Sequence, residues 1–246
     1  MLVFKKLLLL GFVLISSLWI WKIFNFNFLL GSVVVLTSIF LWLGLLTSKN
    51  SYYYLYVLFF IPLVFFQWKT SFKTPITYLN ENEKLIQRIR LNAYPPFSLK
   101  IGGKTIWIPI AHWLEQRKEA ILFYKLEENF SEVVDPNLYF FANHPRERVG
   151  VVEFEKFPYI LLPTFLLGIF SIKKRNLKYI LLGLSPIILI SFIGNSNPIG
   201  PFALFPFFAT VISLGLLPIF SKKIFLVTGL VAFVLVFIQV FAYATY

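Results

Sequence analysis

Long apolar runs fill both ends of the chain, broken by short clusters of Lys, Arg, Asn and Pro, while every Asp and Glu falls between Glu81 and Glu155. A helix needs about 20 apolar residues to cross the hydrocarbon core of a bilayer. On that measure the pattern predicts about seven spans, over residues 7–26, 28–47, 52–68, 157–172, 177–193, 201–220 and 223–243. The first follows Lys5 and Lys6 as a signal peptide would, but it lacks a small-x-small cleavage site and reads as a retained anchor. A very short turn around Asn25 and Asn27 joins it to the second. Prolines 62, 163, 186, 206 and 218 are expected to kink the spans that hold them.

Between the third and fourth spans the pattern changes. Asn80 followed by Glu83 reads as a reciprocal helix cap, ahead of a helix to about Leu91 whose buried stripe would be Leu85, Ile86 and Ile89. Tyr94-Pro95-Pro96 ends that helix. Alternating residues 97–101 and 104–108 flank Gly102-Gly103, the signature of a hairpin with a two-residue turn. A further helix begins near Trp113, and from Ile121 to Leu126 helix and strand fit equally well. Asp135-Pro136-Asn137 is a turn, and Leu138 to Phe141 a short aromatic run. The fold class expected is therefore an α-helical polytopic membrane protein of about seven transmembrane helices, with a small α+β extracytoplasmic domain between spans three and four. The divisions are a membrane region 1–68, a polar domain 69–156 and a membrane region 157–246.

Composition adds two constraints. At 58% hydrophobic and 14% charged residues, the chain lies far from the soluble average of about 25% charged. It holds no Cys, so disulfides and thiolate metal sites are excluded. The net charge of +12 does not describe a nucleic-acid groove, because residues 68–156 carry 13 basic and 11 acidic side chains and are nearly balanced. The remaining basic residues lie at the ends of apolar runs, where they set orientation. With the N-terminus cytoplasmic, Lys5, Lys6, Lys49, Lys173, Lys174, Arg175, Lys178, Lys222 and Lys223 fall inside, and Lys22 alone falls outside. That places residues 69–156 and the C-terminus on the extracytoplasmic side.

The candidate chemistry is concentrated in His144-Pro145-Arg146-Glu147-Arg148, shortly before the fourth span. In extended chain Arg146 and Arg148 point the same way, and two guanidinium forks can grip a phosphate or carboxylate with His144 as proton donor. The competing reading is that these arginines pair with Glu147, Glu153 or Glu155, or contact lipid phosphates. His112 beside Trp113 reads as a packing residue, and two histidines without ligand spacing give no metal site. Glu115, Glu119, Glu127 and Glu128 read as a solvated face. Asn129-Phe130-Ser131 matches a glycosylation acceptor. The uncharged loop 194–201 is either a floor beneath the polar domain or a tight connection. No charged residue lies in the middle of any span, which argues against an ion-coupled pump or an intramembrane hydrolase.

Asn197-Pro198-Ile199-Gly200-Pro201-Phe202-Ala203-Leu204-Phe205-Pro206 resembles the polar turn and proline-rich late span of large polytopic glycosyltransferases that use lipid-linked sugars. That family places a catalytic acid in its first external loop, and residues 22–27 contain none. The function expected is a non-catalytic envelope assembly subunit or scaffold, presenting its extracytoplasmic domain to other membrane proteins in the bilayer. It needs no cofactor and no nucleic acid. The rival is a membrane-bound transferase acting on lipid-linked anionic substrates held by His144, Arg146 and Arg148.

Overall fold

The computed structural model describes residues 2–73, 75–93, 97–108, 118–141, 154–173 and 176–220, together with 234 and 238. The chain is mostly helical: α1 (Leu2–Ser16), α2 (Leu18–Phe26), α3 (Phe28–Thr47), α4 (Asn50–Ser71) and α5 (Glu81–Ala93) precede a hairpin of β1 (Phe97–Ile101) and β2 (Lys104–Ile108). After it come α6 (Lys118–Val134), α7 (Asn137–Phe140), α8 (Leu162–Phe170), α9 (Leu177–Ile193) and α10 (Phe205–Phe220). Among the described residues, three helical stretches are long and apolar enough to cross a membrane: Phe28–Thr47, Asn50–Ser71 and Phe202–Phe220. The expected first span is instead two helices bent by 70° at Ser17, and would be a fourth crossing if the pair is counted as one. The helical stretch Tyr159–Phe170 is apolar but short, about 18 Å at 1.5 Å per residue against about 30 Å of hydrocarbon. Residues 223–243, the last expected span, lie outside the described residues.

The break at Ser17 has a physical cause outside the segment itself. A bent helix frees backbone groups that must find partners. Here the Lys156 carbonyl accepts from Ser17 Oγ at 2.7 Å and from the Trp19 N–H at 3.3 Å. On the other side of the bend, Trp21 Nε1 donates to the Ile15 carbonyl at 3.0 Å. The next break is a single extended residue, Asn27, whose Oδ1 accepts from the Leu30 N–H and caps α3. Prolines 62, 186 and 218 do lie inside helices. Pro163 and Pro206, expected to kink, instead occupy first turns, where a missing donor costs no helical bond.

The helices pack through small residues and aromatic rings, as bilayer-embedded helices do when burial supplies no net force. Gly168 of α8 lies against the Val211 backbone, and Gly215 of α10 against the backbone of Thr164 and Gly168, so the two helices run antiparallel in direct contact. Trp19, Tyr139, Phe140, Phe157, Phe205 and Phe208 form one aromatic core, with Tyr139 stacked on Phe208 at 4.0 Å. Tyr139 and Phe140 come from the acidic stretch of the chain, yet both are fully buried with Val133 and Leu138. One end of the bundle is tied by Asn176, which donates to the Leu45 carbonyl and accepts from Ser48 Oγ, and by Tyr179 OH on the Lys49 carbonyl.

In the insertion the local signals hold. Asn80 and Glu83 exchange bonds of 2.8 and 2.7 Å at the start of α5. The hairpin turns at Gly102 and Gly103, φ 56° and 77°, with Ile101 opposite Lys104; glycine fits because both turn positions are left-handed. Residues 121–126 resolve as helix, within α6. The apolar stripe of α5 is a correction: Leu85, Ile86 and Ile89 are 55%, 49% and 57% exposed. Amphipathic periodicity establishes that a face wants cover, but not that the chain itself supplies it. The expected turn at Tyr94-Pro95-Pro96 and the residues around His112 and Trp113 lie outside the described residues.

Candidate functional site

His144, Arg146 and Arg148, the expected anion grip, lie outside the described residues. What the described chain builds is a polar layer at the end of the bundle nearest the insertion. The α4 terminus supplies Gln67, Thr70 and Ser71, and the 194–203 connection supplies their partners. Gln67 Oε1 accepts from the Ala203 N–H at 3.0 Å and its Nε2 donates to Ser71 Oγ at 2.6 Å. Ser196 Oγ donates to the Ser71 carbonyl, and Asn197 Nδ2 donates to Thr70 Oγ1. Trp19 Nε1 donates to the Ile199 carbonyl at 2.6 Å. Gln67 and Asn197 are fully buried, so each bond made here also avoids the cost of an unpaired polar group. The 194–201 connection thus clamps α2, α4 and α10 together.

Lys156 sits beneath that clamp, 1% exposed. Its Nζ donates to the Leu138 carbonyl at 2.8 Å and lies over the rings of Phe154 (5.0 Å) and Trp19 (5.9 Å). A Cβ on Gly200, whose φ is 76°, would lie 2.7 Å from Lys156 Cε. The left-handed conformation favours glycine there, and any side chain would also have to displace the end of the Lys156 side chain. Nearby Glu155 is half-buried and its Oε1 accepts from the Tyr159 N–H at 2.7 Å. Burial pushes its carboxyl above the ordinary value, and that hydrogen bond offsets only part of the effect.

Above the layer opens a cleft of about 390 Å³ between α6, the end of α9 and the stretch after α4, lined by Lys73, Lys125, Asn129, Glu132, Asn195 and Ser196 among others. Lys125 is held: its Nζ lies 2.8 Å from the Glu83 carboxylate and 2.8 Å from the Tyr78 carbonyl. Glu83 therefore both caps α5 and ties it to α6. Asn129 Nδ2 donates to the Ser191 carbonyl at 3.0 Å, and Asn195 Nδ2 reaches Glu132 Oε1 at 3.4 Å. The Asn129 side chain, noted as a glycosylation acceptor, is thus engaged with α9. Sequence reasoning singled out neither Lys73 nor Lys125 nor Glu132. Each looks like an ordinary surface charge, and only the docking of α6 on α9 brings them to one cleft. Among the described residues no cluster of His, Asp and Glu could hold a metal ion.

A second surface belongs to the insertion. Alongside the α5 stripe, Leu99, Ile101 and Ile106 are 38%, 60% and 50% exposed. Leu99 pairs across from Ile106, so these side chains share one face of the hairpin. No protein-family profile, curated protein or solved structure matches the chain.

Proposed function

We propose that the protein is a non-catalytic assembly subunit: a membrane-anchored scaffold whose insertion is a docking platform for other membrane proteins of the envelope. The observation that supports this best is the uncovered apolar face of α5 and the hairpin, at Leu85, Ile86, Ile89, Leu99, Ile101 and Ile106. A lone two-stranded hairpin is marginal in water, and an amphipathic helix without cover is a surface awaiting a partner. In this reading about seven spans put the N-terminus in the cytoplasm, and residues 69–156 and the C-terminus outside. Photocrosslinkers at Ile86 and Ile101, with Leu181 as a membrane-facing comparison, test it in native membranes. A discrete protein adduct at Ile86 and Ile101 that disappears on Ile89→Asp is expected; lipid adducts alone at all three positions would sink the platform. Because the chain has no Cys, single cysteines at Thr47 and Lys104 report orientation directly. An impermeant thiol reagent added to intact cells should label only the second.

The alternative, a transferase for lipid-linked anionic substrates, draws on one specific observation: the lysine-bearing cleft lies beside a groove lined by apolar side chains such as Val133, Leu184 and Ile187. Its test is Arg146→Ala with Arg148→Ala: a folded double mutant that retains full activity in cells rules out that grip.

A further inference from the structure

Directly below the polar cleft, the same two helices wall a second cavity of a different kind. Val133 of α6 and Leu184 and Ile187 of α9, with Phe165, Phe207 and Phe208 behind, line an apolar groove of about 330 Å³. Both volumes fall within the range of ligand pockets, about 300–1,000 Å³. On α9 the groove reaches up to Ile187 and the cleft begins at Phe192. Ile187 and Phe192 are five positions apart along the helix, a rise of about 7.5 Å. On α6 the change is sharper still, because Glu132 lines the cleft and Val133 the groove.

A charged cleft set one to two helical turns above a greasy groove matches the layout of a lipid, with its headgroup in the polar layer and its chain alongside the helices. The charges narrow the headgroup. Lys125 is committed to Glu83 and the Tyr78 carbonyl. Lys73 is exposed and its ammonium makes no hydrogen bond or ion pair with any described residue. Glu132 places a carboxylate in the same cleft, its Oε1 3.4 Å from Asn195 Nδ2; a carboxylate has acceptor positions for more than one donor. We propose that the α6–α9 seam binds one phospholipid with a zwitterionic phosphate–primary-amine headgroup. The phosphate meets Lys73, the ammonium meets Glu132 and a chain fills the groove beneath. A purely anionic headgroup would bring its charge against the Glu132 carboxylate, and a quaternary amine could not donate a hydrogen bond to it. This site is independent of the partner-docking platform, which uses the opposite kind of surface on α5 and the hairpin.

The test is native mass spectrometry of the full-length protein, purified in detergent and reconstituted with phosphatidylethanolamine, phosphatidylglycerol or phosphatidylcholine of identical chains. The expected result is preferential retention of one phosphatidylethanolamine. Lys73→Ala and Glu132→Gln should each lower retention by about tenfold, the scale of one charge-assisted hydrogen bond, while thermal unfolding without lipid is unchanged for the exposed Lys73 variant. Leu184→Trp, which fills the groove, should abolish retention of all the lipids. Equal retention of all headgroups, preference for phosphatidylglycerol, or retention unmoved by Lys73→Ala would each overturn the proposal.

Discussion

Gln67→Met is the sharpest test of the clamp between α4 and the 194–203 connection. Methionine matches glutamine in length and in helix propensity, so packing and α4 are preserved while both hydrogen bonds are lost. The two losses are unequal. Ser71 Oγ, released at the helix end, can turn to the carbonyl one turn back, the common fate of a helical serine. Interhelical side-chain bonds in membrane proteins average only about 0.6 kcal/mol. The Ala203 N–H has no such escape, because Ala203 is fully buried and its acceptor at 3.0 Å is the Gln67 amide. An orphaned buried donor costs about 1–3 kcal/mol, so this loss decides the outcome and the net destabilisation is about 2 kcal/mol. For a chain of this size that is a fall in Tm of about 4–8 °C, read by intrinsic fluorescence during thermal unfolding in a mild detergent. Ser71→Ala is the comparison: it spares the Ala203 bond and leaves only the Gln67 Nε2 without its acceptor. That side chain can turn where a backbone N–H cannot, so the change should cost less, about 1 kcal/mol. The reasoning fails if Gln67→Met unfolds with the wild type, or if Ser71→Ala loses as much.

Tyr56→Phe should stabilise the bundle. Its hydroxyl is the one buried side-chain polar atom without a partner among the described residues, and its removal relieves about 1 kcal/mol, visible as a raised Tm; a lowered Tm would mean the hydroxyl is satisfied after all. Gly168→Ala drives a methyl into the Val211 backbone at the α8–α10 contact. Backbone cannot yield as a side chain can, so a loss of about 1–3 kcal/mol or more is expected in the same assay, and an unchanged Tm would show that the helices separate freely. Glu155 predicts a pH dependence. Its carboxyl is held above the ordinary 4.5 by burial, so its contribution is fully present below that pH and is lost as pH rises through the elevated value. Glu155→Gln keeps the acceptor for Tyr159 and removes the charge. It should be more stable than wild type at neutral pH and flatten the decline above about pH 4.5, whereas parallel pH profiles would exonerate Glu155.

Residues adjacent in the chain made much of this protein legible before folding. The cap of α5 needs only Asn80 and Glu83, three positions apart, and the hairpin needs only two glycines with positive φ between alternating runs. The apolar stretches of α3, α4 and α10 announce themselves because hydrocarbon demands length and composition from one continuous segment. Tertiary structure decided whatever depends on a distant partner. Nothing between Leu2 and Phe26 is a strong helix breaker, yet the chain bends at Ser17 because a carbonyl 139 residues away, that of Lys156, receives its hydroxyl. Tyr139 lies within the acid-bearing stretch and still enters the aromatic core, since Trp19 and Phe208 arrive from other helices to cover it. Lys73, Lys125 and Glu132 become one cleft only when α6 lies along α9, because a charge shows in sequence where it is but not what it will face.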